Sequence, residues 1–136
     1  MPCDPAAFAA AWARALADSP WFGTNAATWT HGPLSLTVDD DEPLHLLLDV
    51  HAGDVRTLCA CSAEEARAPR YRLKAPAATW RRVLAGDLDP MKAILGGELH
   101  LGGRLGTVAP YVRAAQELAN AARAAAKRLD TGPRPG

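Results

Sequence analysis

Four histidines, three cysteines and two groups of closely spaced carboxylates are the side chains through which this chain could do chemistry. His45, Asp49 and His51 fall on one face of a strand-like stretch, the residue types of a metal site. Same-face neighbours on a strand lie about 6.5–7 Å apart, and His45 to His51 spans about 20 Å, so they cannot share one ion. A polar strand face is expected instead. The acidic run Asp39-Asp40-Asp41-Glu42 has no glycine or closing glutamate at calcium-loop spacing and reads as a solvated turn. Asp87 and Asp89 resemble a carboxylate pair for acid–base work. Asp89-Pro90, however, is the N-cap plus N1-proline start of a helix, which explains Asp89 as a cap. Asp87 is then expected to accept backbone hydrogen bonds in the turn before it. Cys59 and Cys61 stand two apart on one strand face, too far to bridge comfortably, with no activating charge beside them. They read as buried thiols acting as small hydrophobes. The bases Arg70, Arg72 and Lys74 alternate along a strand, where they could meet phosphate but more simply guard a sheet edge. The glycine pairs 96–97 and 102–103 lack the lysine-serine of a phosphate loop. No catalytic group, metal site or cofactor motif emerges.

The composition narrows the partners. Fifteen basic residues balance fifteen acidic ones in 136, which argues against nucleic acid or an anionic membrane as the main partner. At most transient membrane contact is expected. An odd cysteine count without paired spacing fits a reducing, cytoplasmic compartment. Asp4 and Arg14 interrupt any signal-peptide pattern, no run is long enough to span a bilayer, and the last residues form no lipidation or peroxisomal signal. The length suits one domain over 1–130 with a flexible tail at 131–136.

The elements that would position these groups follow from periodicity. Asp4-Pro5 opens a first helix with Phe8, Trp12, Ala15 and Leu16 on one face, ending at Asp18-Ser19-Pro20. Residues 21–26 read as a loop whose two aromatics pack inward, and 27–31 as a short strand. From Pro33 the period becomes two, predicting strands over 34–38, 44–52, 55–61 and 70–75. Ser62-x-x-Glu65 is a capping-box pattern. A helix from Pro76 to about Ala85 stops at Gly86, a short helix covers Pro90–Leu95, and Glu98–Gly102 makes a fifth strand. The steps of three and four from Leu105 to Leu129 predict a long alanine-rich helix over 110–129. Its seam would lie tight on the sheet or pair with a second copy in a homodimer; the first is preferred.

Residues 80–103, running W-x2-V-L-x-G-x-L-D-P-M-x-A-I-L-x-G-x-L-x-L-x-G, resemble the signature region of the sterol carrier protein type-2-like domains. The likeness extends back through the four strands and the first helix as an order of elements. It implies an α+β fold: a five-stranded, mainly antiparallel sheet covered on one face by helices, enclosing an apolar cavity. It also implies non-enzymatic binding of a small hydrophobic lipid, such as a fatty acid, acyl-CoA, isoprenoid or sterol. An alanine- and arginine-rich, bacterial-looking composition favours fatty acyl or isoprenoid lipid over sterol. The matching positions give Trp80, Leu84, Met91, Ile94, Leu95, Leu99, Leu101 and Leu105 as the expected wall. Arg81, Arg82 and Arg104 are the expected head-group contacts. The chain departs from the family at Glu98 and His100, where bases are common, and at Arg104, where an acid or asparagine is common. Two other classes fit an α+β domain of this size. One is a scaffold for lipid- or quinone-modifying enzymes. The other is a small isomerase or cyclase, which would need a histidine or acid facing the cavity, whereas His31, His45, His51 and His100 fall on polar faces or in turns.

Overall fold

In a computed structural model, which describes residues 5–130, a mixed sheet in the order β3-β2-β1-β4-β5 carries most of its helices on one face. The strands are β1 (Leu34–Val38), β2 (Leu44–His51), β3 (Asp54–Ala60), β4 (Tyr71–Ala75) and β5 (His100–Gly102). Three of the four pairings are antiparallel, and β1 and β4 run parallel, with Leu36 beside Leu73. Alternation puts Leu36, Leu46, Leu48, Val50, Tyr71 and Ala75 on the buried face. Arg72 and Lys74 point the other way and are exposed, as expected. Lys74 lies 3.9 Å from the carboxylate of Asp39.

Strand β3 departs from simple alternation for a local reason. Val55 pairs with Val50 and Thr57 with Asp49, leaving Arg56 as one extra residue, a β-bulge. The phase flips there, so that Val55 and Leu58 both turn toward the core while Cys59 turns outward. The expectation of two buried thiols is therefore corrected: Cys59 is exposed and Cys61, just past the strand, half-buried. Partial burial, then the Glu65 carboxylate and Cys59, push the Cys61 thiol pKa up. The β2–β3 turn, Ala52-Gly53, has φ of 51° and 88°. A Cβ on Gly53 would stand 2.5 Å from the Gly23 carbonyl oxygen, so this position needs glycine twice over.

The outward face is covered at one place. Helix α3 (Ala63–Arg67) opens on the capping box read in the sequence, with Ser62 and Glu65 bonded reciprocally. Its Ala66 carbonyl accepts from the hydroxyl of buried Ser35 at 2.6 Å. Beside it, Thr37 is buried and shares a 2.8 Å hydrogen bond with His45 Nδ1. The face carrying His45, Leu47 and Asp49 is thus half-covered, and His51 alone of the expected polar row is exposed.

Helix α1 (Pro5–Ala17) buries Ala9, Trp12 and Leu16; the cap expected at Asp4 lies outside the described residues. Residues 21–26, expected as a loop, instead belong to helix α2 (Pro20–Asn25) and its C-cap Ala26. The Ser19 hydroxyl caps it, accepting from the Phe22 N–H at 3.3 Å, and Pro20 stands at N1. Phe22 is buried, whereas Trp21 is 66% exposed rather than packed inward. No strand forms at 27–31. A turn there buries Trp29, whose indole N–H donates to the Gly32 carbonyl at 2.9 Å. The rest of the helical layer is α4 (Ala77–Ala85), α5 (Pro90–Leu95), α6 (Leu105–Val108), a 3-10 turn Ala109–Tyr111 and α7 (Val112–Asp130). The alanine face of α7 (Ala114, Ala121, Ala122, Ala125) is buried, and the principal partners of α7 are α1, α2, α4 and α5. Its seam closes on helices, above all α1, rather than directly on the sheet. The expected tail at 131–136 lies outside the described residues.

Candidate functional site

Between the sheet and α7 lies an apolar pocket of about 120 Å³. Its floor is Leu36, Val38, Leu44, Leu46, Leu73 and Leu99. Its roof is Ala115, Leu118, Ala119 and Ala122 of α7. Phe8 and Trp12 of α1, with Trp80, Val83, Leu84 and Pro90 around the α4–α5 bend, form the sides. None of these sixteen residues carries an ionisable side chain. The two tryptophans have one polar atom each, and both are satisfied by backbone. Trp12 donates to the Leu118 carbonyl and Trp80 to the Thr37 carbonyl, each at 2.9 Å. The indoles therefore present hydrocarbon to the pocket. A second apolar space of about 70 Å³, under Trp29, Phe22 and Tyr111, shares Leu73, Ala115 and Leu118 with the first. Those three side chains form the partition between them. Trp29 is held there by edge-on contacts to Tyr71 and Tyr111, with ring centroids 5.3 and 4.9 Å apart.

Of the eight residues expected on the wall, Trp80, Leu84 and Leu99 line this pocket. Leu101, paired with Leu73 across β4–β5, is half-buried further along the same sheet face. Met91 and Ile94 are half-buried on α5, with Ile94 packed on a separate small cluster of Ala75, Ala93 and Leu99. Leu95 is 68% exposed and Leu105 37% exposed, so neither reaches the pocket. Pro90 rather than Met91 supplies the α5 contribution. Besides Pro90, sequence reasoning left out Phe8, Trp12, Val83, Leu118 and the alanines of α7 on the helical side, and Leu36, Val38, Leu44, Leu46 and Leu73 on the sheet. Their alternating or helical periodicity marks them as buried without distinguishing a packed core from a pocket wall.

The expected head-group residues stand apart from the pocket. Arg82 is engaged by Glu98 at 2.7 Å, and Arg81 and Arg104 are exposed. Asp89 caps α5, accepting from the Met91 and Lys92 N–H groups at 3.1 Å. The Gln116 side chain adds a third hydrogen bond at 2.9 Å. That amide bond, ahead of the backbone donors, holds the Asp89 carboxyl pKa below its usual value. Asp87 enters the turn by donating its own backbone N–H to the Arg82 carbonyl at 3.0 Å, rather than through the expected carboxylate contacts. Gly86, at φ 84°, closes α4 in the left-handed conformation. No cluster of three or more potential metal ligands occurs among the described residues, and no described helix is long and apolar enough to cross a membrane.

An α+β domain with an apolar pocket between a five-stranded sheet and a helical layer is thus defined by the geometry. The sequence profile of the SCP-2 sterol transfer family matches residues 13–116, and the chain belongs to that family. A crystal structure of sterol carrier protein 2 is 35% identical over 87% of this chain and 95% of its own, with a TM-score of 0.77. The solution structure of a conserved hypothetical protein from Thermus thermophilus is 34% identical, covers 100% of this chain and 95% of its own, and gives 0.81. A sterol carrier protein 2 from Aedes aegypti, solved with palmitate, is 12% identical over 84% of this chain and 98% of its own. At a TM-score of 0.51 that last likeness is one of fold. No curated protein matches the chain.

Proposed function

We propose that this protein binds a single-chain lipid without acting on it, sequestering the hydrocarbon tail between the sheet and α7. The observation that supports this is the pocket of sixteen residues without one ionisable side chain, in a member of the SCP-2 sterol transfer family. Such a surface offers a tail nothing but apolar contact. Burying about twelve to sixteen methylenes at ~0.8 kcal/mol each gives roughly 10 kcal/mol before the cost of association. Micromolar binding is then within reach without a specific hydrogen bond. The two apolar spaces together fall short of the roughly 300 Å³ at which ligand pockets usually begin. A long tail therefore has to part the walls, and the partition at Leu73, Ala115 and Leu118 is where the two spaces would join.

The test is gentle purification, organic extraction and mass spectrometry, followed by titration with a fluorescent fatty acid. A co-purifying lipid, or binding tighter than about 100 µM, is expected. The absence of both would sink the proposal.

A further inference from the structure

We propose that Arg123 is the head-group residue of this pocket, and that its ligand is an amphiphile with a carboxylate head entering between α7 and the α4–α5 bend. The inference rests on the lipid-binding reading and adds the site and charge of the head. Leu84 and Ala119 line the pocket, and the positions just beyond them, Ala85 and Asn120, are exposed. Along the seam between α4 and α7, pocket-lining and exposed positions are therefore neighbours in the chain. Arg123 spans that seam. Its Nη1 donates to the Ala85 carbonyl at 3.2 Å and its Nη2 to Asn120 Oδ1 at 2.9 Å. These bonds engage two of the five N–H groups of a guanidinium, which leaves donors for a planar, two-oxygen acceptor. The side chain is half-buried and packed against the Gly86 turn, where an added Cβ would stand 3.2 Å from Nη1.

The opposing charges on this rim are Asp87 and Asp89. Asp89 is already bonded by Met91, Lys92 and Gln116. Gln116 lies seven positions from Arg123 on α7, roughly 10 Å at 1.5 Å per residue, about one Debye length at physiological salt. Asp87, exposed in the bend, is the carboxylate left to weaken the site. Arg82, by contrast, is neutralised by Glu98.

The test compares laurate with 1-dodecanol, two ligands of equal chain length, by calorimetric titration at pH 7.5. The native protein should prefer laurate by on the order of tenfold, as a charge-assisted hydrogen bond would give. Arg123→Gln should erase the preference and leave dodecanol affinity unchanged, with Arg81→Gln as an inert control. A preference that survives Arg123→Gln, or equal weakening of both ligands, overturns the assignment. A native protein that binds neither ligand overturns the lipid reading itself. Should the variant fail to fold, phenylglyoxal modification of the native protein decides. Laurate, and not dodecanol, should protect Arg123 from the reagent, and equal labelling with and without laurate refutes the inference.

Discussion

Filling the pocket from its roof should raise stability and weaken binding together, a pairing that ordinary core substitutions do not produce. Ala119 faces the pocket from α7 and is half-buried. Ala119→Leu adds three carbons, on the order of 90 Å³ if each takes roughly the 30 Å³ of a water-sized group. The space is about 120 Å³, so most of it is consumed. Cavity filling of this kind typically adds about 0.5–2 kcal/mol, a midpoint higher by a few degrees for a chain of this size. A tail denied room for about three methylenes loses roughly 2.4 kcal/mol, on the order of fifty-fold in affinity. The control is Leu95→Trp, at a position 68% exposed, which should change both quantities little. Thermal unfolding without ligand and titration with a fluorescent C16 fatty acid read the two effects separately. Unchanged affinity in Ala119→Leu would place the ligand elsewhere. A loss of more than about 2 kcal/mol in stability would mean that the leucine is overpacked and no usable space exists.

Two further outcomes test the frame around the pocket. Asp89 has a folded-state pKa below its unfolded value, so its contribution is present above about pH 4 and is lost as the pH falls through the folded value. Asp89→Ala should therefore cost about 1 kcal/mol at pH 7, and the gap from the native protein should close at lower pH in denaturant titrations. A gap independent of pH would show that the carboxylate is not the cap. Gly53→Ala should destabilise far more than Gly32→Ala, although both glycines have φ near 90°. A Cβ at Gly53 meets the Gly23 backbone at 2.5 Å and one at Gly32 meets nothing within 4 Å. Equal losses by thermal melting would mean that the turn of β2–β3 does not rest on α2.

Much of the fold is legible in the sequence because most of its elements are bounded by local chemistry. Asp89-Pro90, Ser62-x-x-Glu65 and the left-handed Gly86 mark helix ends through hydrogen bonds made within a few residues. Ser19-Pro20 is the same cap-plus-proline signal as Asp89-Pro90 and opens α2, yet in the sequence it reads first as the end of α1. Two helices share that one boundary, and periodicity alone shows a single stop. The failures elsewhere are non-local. The bulge at Arg56 is set by the register of β3 on β2, so no pattern within β3 alone could tell that Val55 and Leu58 share a face while Cys59 leaves it. The segment 27–31 has a strand-like composition, but Trp29 is claimed by Tyr71 and Tyr111, rings from distant parts of the chain, and a turn results.

The site is half legible for a deeper reason. Periodicity reports that a side chain leaves water, and it cannot report whether a neighbour fills the space beside it. Ala122 and Ala125 look identical in sequence and both are almost fully buried, yet Ala122 borders the pocket and Ala125 does not. The difference lies in what faces each alanine across the helical layer, which nothing within α7 states. Its alanine face closes on α1, and Trp12, anchored to the Leu118 carbonyl, fixes the two helices against each other. Across the seam, the Gln116 side chain donates to Asp89 and ties α7 to the α4–α5 bend. The space therefore arises because α7 is braced by its helical neighbours on both sides. Small residues along its lower face leave room that leucines there would take. The alanine-rich stripe that first suggests a close-packing seam thus serves two ends, tight contact with α1 and looseness toward the sheet.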